Sequence, residues 1–288
     1  MSETSLPASV PPLLLDADDL AALRAARTLL ENPGLAAQLA NAVGAPLEYV
    51  LARRLPAAVS RLVDTATRKA LDQSLRVALA TLARDAAPRP ARTRSHTFAA
   101  AAAGAAGGAF GMAGLAVELP VTTTLILRSI ADVARSEGEA LDDPQATFAC
   151  FEVLTMGGRG SADDGSESGY FAARALLAQQ VAAAAQHVAA HGMAGQGGPA
   201  IVQLLAAIAS RFSVNVSQKL ALQVVPVVGA VTGATLNTVF MRHFQRMARG
   251  HFVVRRLERR HGADTVRRAY ASLAAELPPP DAKPTRRR

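Results

Sequence analysis

Four charged residues, Glu118, Arg128, Glu152 and Arg174, stand singly in apolar stretches with helical spacing. A charge buried without a partner is costly, so each of them needs one. Two readings follow. The four could be core ion pairs that fix the register of packed helices. Alternatively they could converge on a polar site between helices, where carboxylates and an arginine would serve a hydrolase or transferase. They are the only candidates for catalysis that the residue types offer.

Other chemistry-bearing residues point to bland roles. His243 and His251 lie eight apart, slightly over two helical turns, so they share a helix face but not one metal ion. No His-Glu-x-x-His or Glu-x-x-His pairing accompanies them, and no metal site is read. Cys150 is the single cysteine, which excludes disulfide frameworks and cysteine-based metal sites within the chain. In its apolar helix it reads as a buried, inert thiol. The segment GMAGQGG (192–198) lacks the Lys-Ser/Thr of a phosphate-binding loop and follows no strand. A Gly-x-Ser-x-Gly elbow is also missing. No cofactor is expected.

The elements that must position these residues are helices. Half of the 288 residues are hydrophobic, aromatics make up 4 % and there is no Trp. The apolar content is mostly Ala, with Leu and Val, which favours close helix packing over a bulky aromatic core. Apolar residues recur at helical spacing in runs broken by Asn32-Pro33-Gly34, Gly157-Gly158 and Pro226. Asp143-Pro144 is a strong helix start. The fold class is all-α, a multi-helix bundle with a central glycine-rich helix. Residues 1–15 read as a disordered N-terminal tail, and 16–94 as an N-terminal helical extension ending in a Pro/Arg-rich linker. Residues 95–277 read as the main helical domain and 278–288 as a disordered basic tail.

The glycine-rich helix is expected to run from about Phe98 to Val117. Gly104, Gly107, Gly111 and Gly114 are spaced three, four and three, so they line one face, with Gly108 beside them. Each Gly costs roughly 1 kcal/mol relative to Ala inside a helix, and five cost on the order of 5 kcal/mol. Close approach of another backbone could offset that. Independent membrane insertion fits poorly. At about −0.5 kcal/mol for each Leu, Phe or Val, the gain is only about 2 kcal/mol. A second uncharged stretch, Leu220–Met241, repeats the small-residue spacing at Gly229 and Gly233. These two stretches are predicted to pack on each other. Large residues at Gly107 or Gly111 should then lower the melting temperature.

The net charge of +8 points to an acidic partner. Arg242, Arg246, Arg249, Arg255 and Arg256 directly follow the second uncharged stretch, where anionic lipid contact is worth about 1 kcal/mol per placed charge. A solvated helix face is the alternative. Nucleic acid is disfavoured, because aromatics are sparse on the basic faces and no DNA-binding module is present. The N-terminus has no basic region, and its apolar run is too short for a signal peptide. The expected location is therefore cytoplasmic, peripheral to the inner membrane.

Several of these segments resemble the EcsC family of bacterial proteins. They are GAAGGAFGMAGLAVELPVTTTLILRSIADVARSEGE (104–139), DPQATFACFEVLTMGG (143–158), ESGYFAARALLA (167–178) and VPVVGAVTGATLNTVFMRHFQRMARGHFVVRRLERRHG (225–262). The resemblance extends over roughly Ser95 to Tyr270. It implies a helical protein with a link to transport or secretion, and it carries over no catalytic residues. The leading expectation is a non-enzymatic protein that associates with an anionic membrane surface or a membrane protein. The alternatives are a hydrolase or transferase with a polar inter-helix site, and a carrier of apolar ligands.

Overall fold

The computed structural model describes residues 15–31, 34–44, 55–81, 90–109, 115–157, 169–192, 198–223 and 229–275. They form ten α-helices and no strand: α1 (Ala17–Glu31), α2 (Leu35–Val43), α3 (Ala57–Thr81), α4 (Thr93–Ala109), α5 (Leu115–Ser136), α6 (Pro144–Glu152), α7 (Gly169–His191), α8 (Pro199–Gln223), α9 (Gly229–His261) and α10 (Ala263–Ala275). The protein is an all-α bundle. A 3₁₀ turn, Val153–Thr155, continues α6. The start of α6 follows directly from its residues. The Asp143 carboxylate accepts the Gln145 N–H at 2.8 Å, and Pro144 sits where a missing N–H costs nothing.

The helix with the most neighbours is α9. Its 33 residues extend roughly 50 Å. It packs most extensively against α4, then α1, and also meets α5, α2, α10 and α8. Gly250 does not break it. A Cβ there would lie 2.6 Å from Leu30 Cγ and 2.9 Å from the Ala26 carbonyl oxygen, so Gly250 is where α1 presses on α9.

The glycine-stepped stretch is not one helix from Phe98 to Val117. Its described residues fall in two helices, α4 through Ala109 and α5 from Leu115, which run in opposite directions along α9. Gly111 and Gly114 lie outside the described residues. Within α4, Gly104 faces Gly233 of α9. A Cβ on Gly104 would come within 2.3 Å of the Gly233 carbonyl oxygen, and one on Gly233 within 2.1 Å of the Gly104 oxygen. The Gly108 Cα borders the same spot. Gly229 is the first residue of α9. Polar side chains fix the register beside this contact. Asn237 donates to the Ala100 carbonyl at 3.0 Å and to Thr122 Oγ1 at 3.3 Å. Gln245 Nε2 donates to the Thr93 carbonyl and to Ser129 Oγ, both at 2.9 Å. Rising numbers in α9 thus meet falling numbers in α4 and rising numbers in α5, so α4 runs antiparallel to α9 and α5 runs parallel.

The N-terminal helices are part of this core rather than an extension of it. Leu23 and Leu30 of α1, Leu35 and Leu39 of α2, and Leu71 and Leu75 of α3 belong to the same buried cluster as Phe240, Phe244 and Phe252 of α9. α1 and α2 pack on α9, whereas α3 packs on α5 and α8. Buried residues on both sides of the Pro/Arg-rich segment thus share one cluster. Leu15, assigned to the tail, is buried. The rest of that tail and the basic tail from 278 lie outside the described residues.

An exposed helical Gly→Ala change stabilises by about 1 kcal/mol. Gly233→Ala is expected to do the reverse, costing about 2 kcal/mol through overlap with the α4 backbone. Ala102→Leu, on the exposed side of α4, should stay within about 0.5 kcal/mol. Urea unfolding measures both; an unchanged or raised midpoint for Gly233→Ala would contradict the packing described.

Candidate functional site

Glu118 lies in the first turn of α5, where a negative charge suits the helix dipole. Its carboxylate is nonetheless buried and needs a full partner. Lys219 of α8 supplies it, with Nζ 2.5 Å from Oε1 and both side chains under 5 % exposed. Gly107 of α4 makes room, since a Cβ there would come within 2.3 Å of the carboxylate. The Lys219 ammonium also sits 5.7 Å from the centre of the Phe240 ring, a cation–π distance. Burial lowers the Lys219 pKa against the pull of Glu118. Four helices, α4, α5, α8 and α9, thus converge on one ion pair.

A second polar cluster lies further along α9. From residue 240 to residue 251 the helix rises roughly 16 Å. Arg174 of α7 grips Glu258 of α9 with two hydrogen bonds, at 2.8 and 3.0 Å. It also donates to the Tyr170 oxygen at 3.3 Å. Tyr170 OH lies 3.0 Å from His251 Nδ1, and His251 Nε2 lies 3.8 Å from Glu152 Oε2. Arg255 holds Glu139 with bonds of 2.9 and 3.1 Å, and Arg259 joins it there. Burial pushes the Glu152 carboxyl up to about 7, against the opposing charges of Arg174 and Arg255. Burial drives His251 well below its ordinary pKa, with Arg174 and Arg255 adding to the effect. At Glu139 burial acts upward, but Arg255 and then Arg259 outweigh it and hold the carboxyl below its usual range. Burial also raises the Cys150 thiol far above its ordinary value, so this cysteine is no nucleophile.

His243 occupies a third place. It is buried, and its Nδ1 is 3.1 Å from Gln38 Nε2. Its ring fills the space beside Gly157, where a Cβ would come within 2.4 Å of it. Gly157 also has φ +74°, a conformation that side chains disfavour. Burial pushes the His243 pKa down to about 4.

The four predicted charges therefore do not form one site. Glu118 belongs to the Lys219 pair. Glu152 and Arg174 belong to the second cluster, where Arg174 is engaged by Glu258. Arg128 is on the exposed side of α5 and joins neither. Among the described residues, Glu118 and Arg128 thus stand apart from the cluster that holds Glu152 and Arg174. No three His, Cys, Asp or Glu side chains gather among the described residues to hold a metal ion. A cleft of about 460 Å³ runs along Ala91–Ser95 and is open to solvent. The arginine series also divides. Arg242 and Arg249 are exposed and Arg246 is half-buried. Arg255 and Arg256 are instead committed to internal pairs, with Glu139 and Glu137 respectively.

Residues 20–257 match the EcsC protein family. The chain belongs to that family. The match begins in α1, well before Ser95, and so takes in the N-terminal helices that share the core. It ends within α9. Comparison with curated proteins gives no match, nor does comparison with solved structures. Sequence reading missed Lys219, Tyr170, Glu258 and Gln38 as partners in this EcsC-family chain. Lys219 was findable, being an isolated charge next to a long uncharged stretch, as Glu118 is.

Two outcomes follow for the ion pairs. Glu118→Gln or Lys219→Met alone should cost about 3–5 kcal/mol, because each strands a buried charge or its desolvated partner. The double variant should recover most of that loss in urea unfolding; additive losses would contradict the pairing. Glu152 keeps its proton in the folded chain between its ordinary pKa of 4.5 and about 7. Its contribution to stability is present below that ordinary pKa and is lost as pH rises through 7. Glu152→Gln should thus gain on the order of 3 kcal/mol relative to the native chain on going from acid to alkaline pH. A pH-independent difference would contradict the buried, protonated carboxyl.

Proposed function

We propose that this protein is a non-enzymatic helical protein of the cytoplasmic membrane surface, and that it adheres to anionic lipid through the outer side of α4 and α9. The observation that carries this reading is a set of exposed apolar side chains on helices that also expose arginines. Phe98 of α4, Val117 of α5 and Val231 of α9 are 76, 72 and 66 % exposed, on three helices that pack on one another. Arg242 and Arg249 follow Val231 by eleven and eighteen residues, three and five turns, and so continue its face of α9. The exposed residues of α4 beyond Ser95 are Phe98, Ala102, Ala106 and Ala109, none of them charged. Apolar side chains that insert shallowly next to basic ones that meet headgroups suit peripheral adsorption.

One helix among the described residues, α8, is long and apolar enough to cross a membrane. Its Leu204, Ile208 and Phe212 are buried in the bundle, as is Lys219. That favours a core role for α8 and adsorption, rather than spanning, for the protein. The link to transport or secretion remains what the family suggests: a membrane-bound partner would be met at the same surface.

Flotation with vesicles tests the reading. The full chain is expected to float with anionic vesicles at low salt, to be released by high salt, and to ignore neutral vesicles. Replacing Arg242 and Arg249 together by Gln should weaken binding roughly 30-fold, at about 1 kcal/mol per charge. Phe98→Glu should weaken it further. Failure to float with anionic vesicles at low salt would remove the proposal.

A further inference from the structure

We infer that Glu152 and His251 form a proton-operated contact that sets how tightly the end of α6 is held on α9. This inference is independent of lipid binding. It starts from hydrogen-bond arithmetic. Arg174 can only donate, so the Tyr170 oxygen accepts from it at 3.3 Å. The one phenolic hydrogen then goes to His251 Nδ1, at 3.0 Å. The Nδ1 atom is therefore the acceptor of a neutral imidazole, and the ring proton is on Nε2. That N–H is buried and has no hydrogen-bond partner. The nearest carboxylate oxygen, Glu152 Oε2, is 3.8 Å away. The gap is too long for a hydrogen bond and too short to admit a bridging water.

Among the described residues, Arg174, Arg255 and Arg135 each already hold a carboxylate other than Glu152. Arg174 spends both its terminal nitrogens on Glu258. Arg255 spends its own on Glu139, where Arg259 joins it. Arg135, on α5, is bound to Asp132. Tyr170 is engaged by His251 and Arg174. When Glu152 loses its proton, His251 Nε2–H, buried, without a hydrogen-bond partner and 3.8 Å from Oε2, is the donor that faces it among the described residues. A closing of about 1 Å makes that bond. While Glu152 keeps its proton, its neutral carboxyl is a much weaker acceptor for that N–H, and the drive to close is small. The raised Glu152 pKa puts the change near neutrality.

The contact has a lever. Glu152 is the last residue of α6, and Val153–Thr155 turn directly after it. Thr155 Oγ1 donates back to the Glu152 carbonyl at 2.7 Å, and the Met156 N–H to the Val153 carbonyl at 3.1 Å. Asn215 of α8 donates to the Leu154 carbonyl at 3.4 Å. The Gly157 carbonyl accepts the Leu35 N–H of α2. Movement at Glu152 thus reaches α8 and α2 through one short turn.

The test is nuclear magnetic resonance of the full chain with ¹⁵N-labelled histidine, from about pH 5.5 to about pH 8.5, with amide exchange of residues 153–156 measured alongside. His251 is expected on its Nε2–H tautomer throughout. Its Nε2–H proton should move downfield as pH rises, and exchange at 153–156, corrected for intrinsic pH dependence, should slow severalfold with the same midpoint. In Glu152→Gln both responses should vanish. Glu258→Gln frees Arg174 toward Glu152 and should shift the midpoint to lower pH. An Nδ1–H tautomer, a pH-independent His251 signal, or a response that survives Glu152→Gln would overturn the inference. So would an unmoved midpoint in Glu258→Gln.

Discussion

The bundle depends on one backbone contact, Gly104 of α4 against Gly233 of α9. Neither position has room for even a methyl group. The glycine substitutions that weaken both helices are offset by the close approach they permit, which brings many weak dispersion contacts into range. The register of that approach is then fixed by groups that can bond in one alignment only. Asn237 finds the Ala100 carbonyl and Gln245 finds that of Thr93. The helix that carries all three residues, α9, is also the one against which most others pack.

The buried charges are arranged around this frame. Glu118 fits only because Gly107, one turn beyond Gly104 on α4, has no side chain, and Lys219 reaches it from α8. Such a pair is weak support for stability, since desolvation consumes most of its attraction. Its effect is on alignment: any other placement of α5 and α8 would strand two charges in an apolar core. The ion pairs of Glu139, Glu137 and Asp19 with Arg255, Arg256 and Arg260 do the same work near the surface, tying the α5–α6 connection and α1 to the end of α9.

Much of this was legible in the sequence because it is local. Helical spacing, the Asp143-Pro144 start and the small residues at 104 and 233 depend on neighbours within a turn or two. The family motifs also pointed to the right family, although the family match extends to the N-terminal helices, where no motif stood out. What the sequence concealed is pairing at long range. Arg255 and Glu139 are 116 residues apart, so an arginine run that looks free is partly spent inside the fold. Arg128 resembles Glu118 in its apolar surroundings but faces outward, because one residue of shift on a helix turns a side chain by about 100°. Gly250 is a poor helix former by residue type and is nonetheless a packing point inside α9, a role that depends on Leu30 more than two hundred residues earlier.

The same α4–α9 pair that organises the interior presents Phe98, Val231, Arg242 and Arg249 outward, which joins the fold to the proposed membrane role. Amide exchange of the intact chain with and without anionic vesicles measures that join most directly. Protection should rise along the exposed sides of α4 and the first half of α9 and stay unchanged in α6 and α7. Protection confined to α8, or no change on adding vesicles, would contradict it.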